Sequence, residues 1–193
     1  MLFKLQKDMP DHSNIQKDFY RESGKWLSGF QILSKCINPN LHFIYILRKA
    51  QKHRKTPLLK IFWKFVLRHY QIKYGYQIYP ETQIGEGLYL GHWGALVINP
   101  KAKIGKNCNI AQGVTIGQQN RGKFQGFPVI EDEVWIGTNA VIVGGITIGR
   151  NTLIAPNSYI NFDVPADSVV MGNPGKIYMK ADATEGYINN KIE

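Results

Sequence analysis

A chain of 193 residues with a formal charge of +10, 44% hydrophobic and 20% charged, is long and apolar enough to bury a core. It is too sparsely charged for a disordered polyelectrolyte. Its two cysteines, Cys36 and Cys108, exclude a disulfide framework and suit a reducing, cytoplasmic setting. No run approaches the roughly 18 apolar residues of a membrane span, and Met1–Pro10 lacks the apolar core of a secretory signal.

The charge belongs to one part of the chain. Residues 1–75 hold 15 Lys and Arg against 4 Asp and Glu, a balance of +11, whereas residues 76–193 hold 9 against 10, a balance of −1. The first part reads as a helical module over 1–75. Ser13 with Gln16 forms a capping box that opens a helix over about 14–26, ended near Gly24 or Gly29. Asn38-Pro39 breaks the chain, and Leu41–Lys52 is a second helical run. Thr56-Pro57 starts a third, closed by Gly75. That helix places Lys60, Lys64 and Arg68 on one i, i+4 stripe. The stripe is either a solvated face or one attracted to an anionic partner such as a membrane surface. Zinc ligands, an RNA-binding signature and a helix-turn-helix are all missing, so nucleic acid is not expected.

From residue 76 a six-residue period takes over. Aliphatic anchors fall at Ile78, Ile84 and Leu90. They resume after two extra residues at Ile98, Ile104, Ile110 and Ile116, and after a longer interruption at Ile130, Ile136, Ile142, Ile148, Ile154 and Ile160. A period of six drifts off any 3.6-residue helical face, and the Gly and Asn content disfavours helix. Short strands joined by tight corners satisfy it: three hexads close one coil, and about five stacked coils bury a ladder of Ile. The fold class expected is therefore mainly β, a parallel β-helix over 76–178 behind the α-helical module, with a tail over 179–193.

The repeat resembles the serine acetyltransferase family of hexapeptide-repeat acyltransferases. The likeness rests on Gly87-Leu88-Tyr89-Leu90-Gly91-His92, Lys103-Ile104-Gly105-Lys106-Asn107, Gly113-Val114-Thr115-Ile116-Gly117, Val134-Trp135-Ile136-Gly137-Thr138-Asn139-Ala140 and Gly172-Asn173-Pro174-Gly175-Lys176. Asp18-Phe19-Tyr20-Arg21 adds to it. The resemblance implies a left-handed β-helix and an acetyl-CoA-dependent O-acetyltransferase. It implies a homotrimer or a dimer of trimers, with acceptor L-serine, in cysteine biosynthesis, or a saccharide hydroxyl. A catalytically silent β-helix used for assembly or binding is the alternative.

His92 is the one histidine of the repeat, too few for a metal hydrolyase, so no metal is expected. Acyl transfer to an alcohol needs a base that accepts the hydroxyl proton and returns it to the leaving thiolate, and an imidazole suits that task. The resemblance makes His92 that base. The orienting aspartate expected fifteen residues earlier is Gln77, the acid expected before the histidine is Gly91, and the loop's Arg-His pair is replaced by Gly126 and Phe127. Gln77, through its amide oxygen, or a backbone carbonyl is then the group that would orient His92. Trp93, Arg121 and Phe127 are candidate acceptor contacts. For coenzyme A the matching positions are Gly117, Gln118, Gly137, Thr138, Ala155, Pro156, Gly172 and Lys176. The loop 118–127 is expected to be polar and flexible with exposed aromatics, and the resemblance implies that it covers the site of a neighbouring subunit.

Overall fold

A computed structural model describes residues 12–193; the expectation about Met1–Pro10 lies outside the described residues. Helix α1 (Asn14–Ser23) opens on the capping box, Gln16 N–H donating to Ser13 Oγ and Ser13 N–H to Gln16 Oε1 at 3.0 Å. It stops three residues earlier than the pattern predicts. Gly24 adopts a left-handed conformation and its N–H closes on Tyr20 O, so the chain turns before Trp26. A helix missing from the sequence expectation follows, α2 (Gly29–Lys35), with its own capping box of Ser28 and Gln31. Helix α3 (Pro39–Lys52) is capped by Asn38, and α4 (Pro57–Tyr74) ends on left-handed Gly75.

From Tyr76 the chain winds through three faces of a triangular prism. The first sheet stacks β1 (Tyr76–Gln77), β4 (Leu96–Ile98), β7 (Thr115–Gly117), β10 (Val141–Val143) and β13 (Tyr159–Ile160). The second stacks β2 (Gln83–Ile84), β5 (Lys103–Ile104), β8 (Val129–Ile130) and β11 (Thr147–Ile148). The third stacks β3 (Tyr89–Leu90), β6 (Asn109–Ile110), β9 (Trp135–Ile136), β12 (Thr152–Ile154) and β14 (Ser168–Met171) in parallel, then β15 (Lys176–Met179) antiparallel on β14. Register reproduces the hexad arithmetic. Val97 pairs with Thr115 and Val141 with Tyr159, both one three-hexad coil apart. Tyr76 pairs with Leu96, two residues further than one coil, and Thr115 with Val141, eight further. The two surplus residues enter at the corner carrying His92, and the eight enter in the loop after β7.

Twelve of the thirteen anchors are buried; Ile84 is half-buried, because a cavity under the start of α1 opens onto β2. Small residues between the coils answer to backbone proximity. A Cβ on Gly137 would lie 2.7 Å from Pro156 N of the next coil. Gly137→Ala is therefore expected to destabilise by about 1–3 kcal/mol, read as a lower denaturation midpoint at unchanged slope.

The helices and the solenoid share one core: Phe43, Ile44, Leu47 and Leu67 pack in the same cluster as Tyr76, Ile78 and Leu96. A buried ion pair joins them. Arg48 Nε and Nη2 donate to Asp18 at 2.7 and 3.1 Å, Arg48 also donates to Ile84 O and Gly85 O, and Asp18 Oδ1 accepts from Leu88 N at 2.9 Å. Among the described residues no helix is long and apolar enough to cross a membrane.

Candidate active site

His92 stands exposed on the enlarged corner between β3 and β4. Its backbone is held from below. The Tyr76 hydroxyl lies 2.6 Å from Asn40 Oδ1 and 3.0 Å from His92 O, Asn40 Nδ2 donates to Gly91 O at 3.0 Å, and Gly94 N–H donates to Tyr74 O. Burial pushes the Tyr76 phenol well above its ordinary range, so it stays a donor. Asn40 and Tyr76 thus tie the His92 corner to the base of α3 and to β1.

The imidazole lines a cleft of about 460 Å³ shared with Glu22, Tyr89, Gln112, Trp135, Thr138 and Tyr187. Glu22 reaches it because α1 is docked on the first coils: Arg21, its neighbour, is buried and donates to Asn109 Oδ1 at 2.6 Å, Gly87 O and Asn189 O. Burial and the adjacent Glu22 carboxylate hold the Tyr89 phenol above its ordinary value. Gln112 Oε1 is buried with no hydrogen-bond partner among the described residues. The far wall is the C-terminal tail. Asn109 Nδ2 donates to Tyr187 O, Thr184 is bonded to Asn151 Oδ1, and Asn107 makes two bonds to the backbone of Ile192, at 2.8 and 2.9 Å. Tyr187 packs on Trp135 with ring centroids 4.9 Å apart.

The candidate residues divide between two edges of the prism. On the His92 edge, one coil after another, lie Gly137 and Thr138 after β9, Ala155 and Pro156 after β12, and Gly172 after β14. Thr138 lines the His92 cleft, and Ala155 and Pro156 line an adjoining one with Trp135 and Lys180. Lys176 is exposed at the start of β15. Trp93 is exposed beside His92. Gly117 ends β7, and Gln118, Arg121 and Phe127 follow it on another edge, before β8. Gln77 lies on β1 and its Nε2 donates to Tyr79 Oη at 3.0 Å; among the described residues no side chain is hydrogen-bonded to the His92 ring.

The loop carries its own backbone pairing. Gln119 and Gly126 exchange both backbone hydrogen bonds, at 3.0 and 3.1 Å, Gly145 N–H donates to Phe124 O, and Phe124 packs against the core. Lys101 Nζ sits 5.0 Å above the Phe127 ring, which is half-buried. Phe124 turns inward, and the Gln119–Gly126 backbone bonds make the loop a hairpin. Cys108 is sealed in the core, its thiol pushed up to about 12 by burial, and is no nucleophile.

Glu22, Gln112 and Tyr187 escape the sequence pattern; they come from α1, the following coil and the tail, and none shares a local motif with His92, whereas Tyr89 stands in the Gly87–His92 motif itself.

Residues 127–161 match the family model of the bacterial transferase hexapeptide, six repeats. The chain is 37% identical over 106 residues to a serine acetyltransferase of Bacillus licheniformis, covering 55% of this chain and 49% of the relative. It is 40% identical over 103 residues to that of Staphylococcus xylosus, covering 53% and 48%. The chain spans about half the length of these curated relatives. Among solved structures it is similar to Neisseria gonorrhoeae serine acetyltransferase in complex with serine, at 29% identity and a TM-score of 0.70, covering 86% of this chain and 67% of that one. Brucella abortus serine acetyltransferase in complex with coenzyme A matches at 27% identity and a TM-score of 0.71, covering 87% and 66%.

Proposed function

We propose, from a β-helix that carries the bacterial transferase hexapeptide repeat and is related to the serine acetyltransferases, that this chain is an acetyl-CoA-dependent O-acetyltransferase with His92 as general base. The observation that carries the reading is the placement of His92. It stands on a corner enlarged by two residues, in a cleft, on the same edge as the small corner residues at 137, 155 and 172.

Acetyl-CoA supplies the thioester. His92 takes the proton of the acceptor hydroxyl as its oxygen attacks the carbonyl, and hands a proton to the departing thiolate, so no acyl-enzyme is needed. Thr138 and the corners carrying Ala155, Pro156 and Gly172 offer the pantetheine arm a close approach, with Lys176 and Lys180 for its phosphates. The cytoplasm is the compartment that supplies this co-substrate.

L-serine is the first acceptor to consider, since the relatives are serine acetyltransferases. Glu22 supports it by giving the cleft a carboxylate for an ammonium group. A saccharide hydroxyl is the second, supported by the aromatic Trp135–Tyr187 wall. Thiol release from acetyl-CoA, measured with L-serine and a panel of glycans, separates them. Release with neither acceptor sinks the transferase reading.

A trimer completes the site in this proposal. Gly117, Gln118, Arg121 and Phe127 stand on a different edge from His92, so only a second subunit brings them to it. Partly exposed Val97 and Tyr159 on the face between these edges suit such packing. Gln77 lies on that face as well, and it orients His92 only if it leaves Tyr79.

Tyr76→Phe is expected to lower kcat several-fold with an unchanged KM for acetyl-CoA. It removes the donor that seats the His92 carbonyl and costs about 1–3 kcal/mol of stability. Thiol-release kinetics beside a thermal melt check both numbers.

A further inference from the structure

Helix α4 is apolar on two opposite sides. Leu67 is buried in the shared core, with Trp63, Val66, Tyr70 and Tyr74 packed against it. On the other side Leu58, Ile61, Phe62, Phe65 and Ile72 recur at intervals of three, four and seven, and each is more than half exposed; Leu58 reaches 83% and Phe65 74%. An apolar strip of this length exposed on a folded surface marks a contact. Lys60, Lys64 and Arg68 run along one flank of the strip and are exposed.

The charge pattern selects the occupant. Eleven Lys and Arg and no carboxylate lie between Glu22 and Glu81. A second copy seated on α4 through a two-fold contact would set these cations against themselves with no acid on the helix to pair them. Nucleic acid would meet the cations but leave Phe62, Phe65 and Ile72 in water. An anionic bilayer satisfies both: the strip enters the acyl boundary while the flanking cations remain among the headgroup phosphates.

We propose that the outward face of α4 is a peripheral docking surface for an anionic lipid bilayer, with Leu58, Phe62, Phe65 and Ile72 inserted and Lys60, Lys64 and Arg68 at the headgroups. The contact stands apart from the transfer chemistry, since neither His92 nor its cleft takes part.

The test is co-sedimentation of the full chain with vesicles of phosphatidylcholine alone, or with about a third phosphatidylglycerol. Binding to the anionic vesicles alone is expected, weakening with salt. The Lys60→Gln/Lys64→Gln/Arg68→Gln variant is expected to bind on the order of a hundredfold more weakly, and Phe62→Ser/Phe65→Ser about tenfold or more. All five side chains are exposed or lie on the outward face, so both variants keep the wild-type thermal midpoint. No binding to anionic vesicles overturns the proposal. So does a Phe62→Ser/Phe65→Ser variant that binds vesicles normally but shows a smaller assembly mass, for a second copy would then be what covers α4.

Discussion

Replacing His92 by alanine is expected to lower acetyl transfer by roughly 10²–10⁴-fold while leaving the fold and the affinity for acetyl-CoA intact. The ring is exposed, and among the described residues no side chain is bonded to it, so its loss removes no packing and breaks no buried bond. The corner itself is held by Asn40 and Tyr76 through the backbone of Gly91 and His92, which alanine preserves. What disappears is the proton acceptor. Thiol-release kinetics, with a thermal melt as the control, should show kcat falling and the melting temperature unmoved. Unchanged turnover would place the chemistry elsewhere, or leave the β-helix as an assembly scaffold.

The largest stability effect is expected at Arg48. Arg48→Ala should cost about 3–5 kcal/mol, because it strands the Asp18 carboxylate in the core. Two backbone acceptors, Ile84 O and Gly85 O, lose their donor at the same time. For a chain of this size that is a fall in Tm of roughly 6–20 °C. Replacing both partners, Asp18→Leu with Arg48→Met, should cost less than Arg48→Ala alone, since no unpaired charge remains. The pair also seats α1, and α1 delivers Glu22 to the His92 cleft. Residual folded Arg48→Ala protein should therefore show a raised KM for the acceptor. Equal melting temperatures for wild type and Arg48→Ala would refute the assignment of the pair as the joint between helices and coils.

The β-helix was legible from the chain because its determinants are local and repeated. Each hexad places one aliphatic residue inward, eight of the thirteen anchors are followed by Gly or Ala, and a 3.6-residue helical period does not accommodate them. The ends of α1 and α4 were written as Gly24 and Gly75, both left-handed in the structure. The short α2 leaves no hydrophobic period in the sequence, although Ser28 and Gln31 repeat the cap that opens α1. A seven-residue helix carries too few apolar positions to declare a period. The hairpin of the 118–127 loop was hidden because polar residues conceal its stabilisation, which lies in two backbone bonds and one inward phenylalanine.

By itself the sequence determined the solenoid, the concentration of positive charge before residue 76 and the single histidine of the repeat. All three are properties of composition and spacing. Only the tertiary structure decided what surrounds that histidine. Glu22, Gln112 and Tyr187 are separated from it by stretches of chain no motif spans, and they meet it because coils stack, α1 docks through buried ion pairing and the tail folds back along the asparagines. The same packing left one apolar side of α4 in the core and the other in solvent. The hydropathy of the helix records both sides but cannot say which is covered.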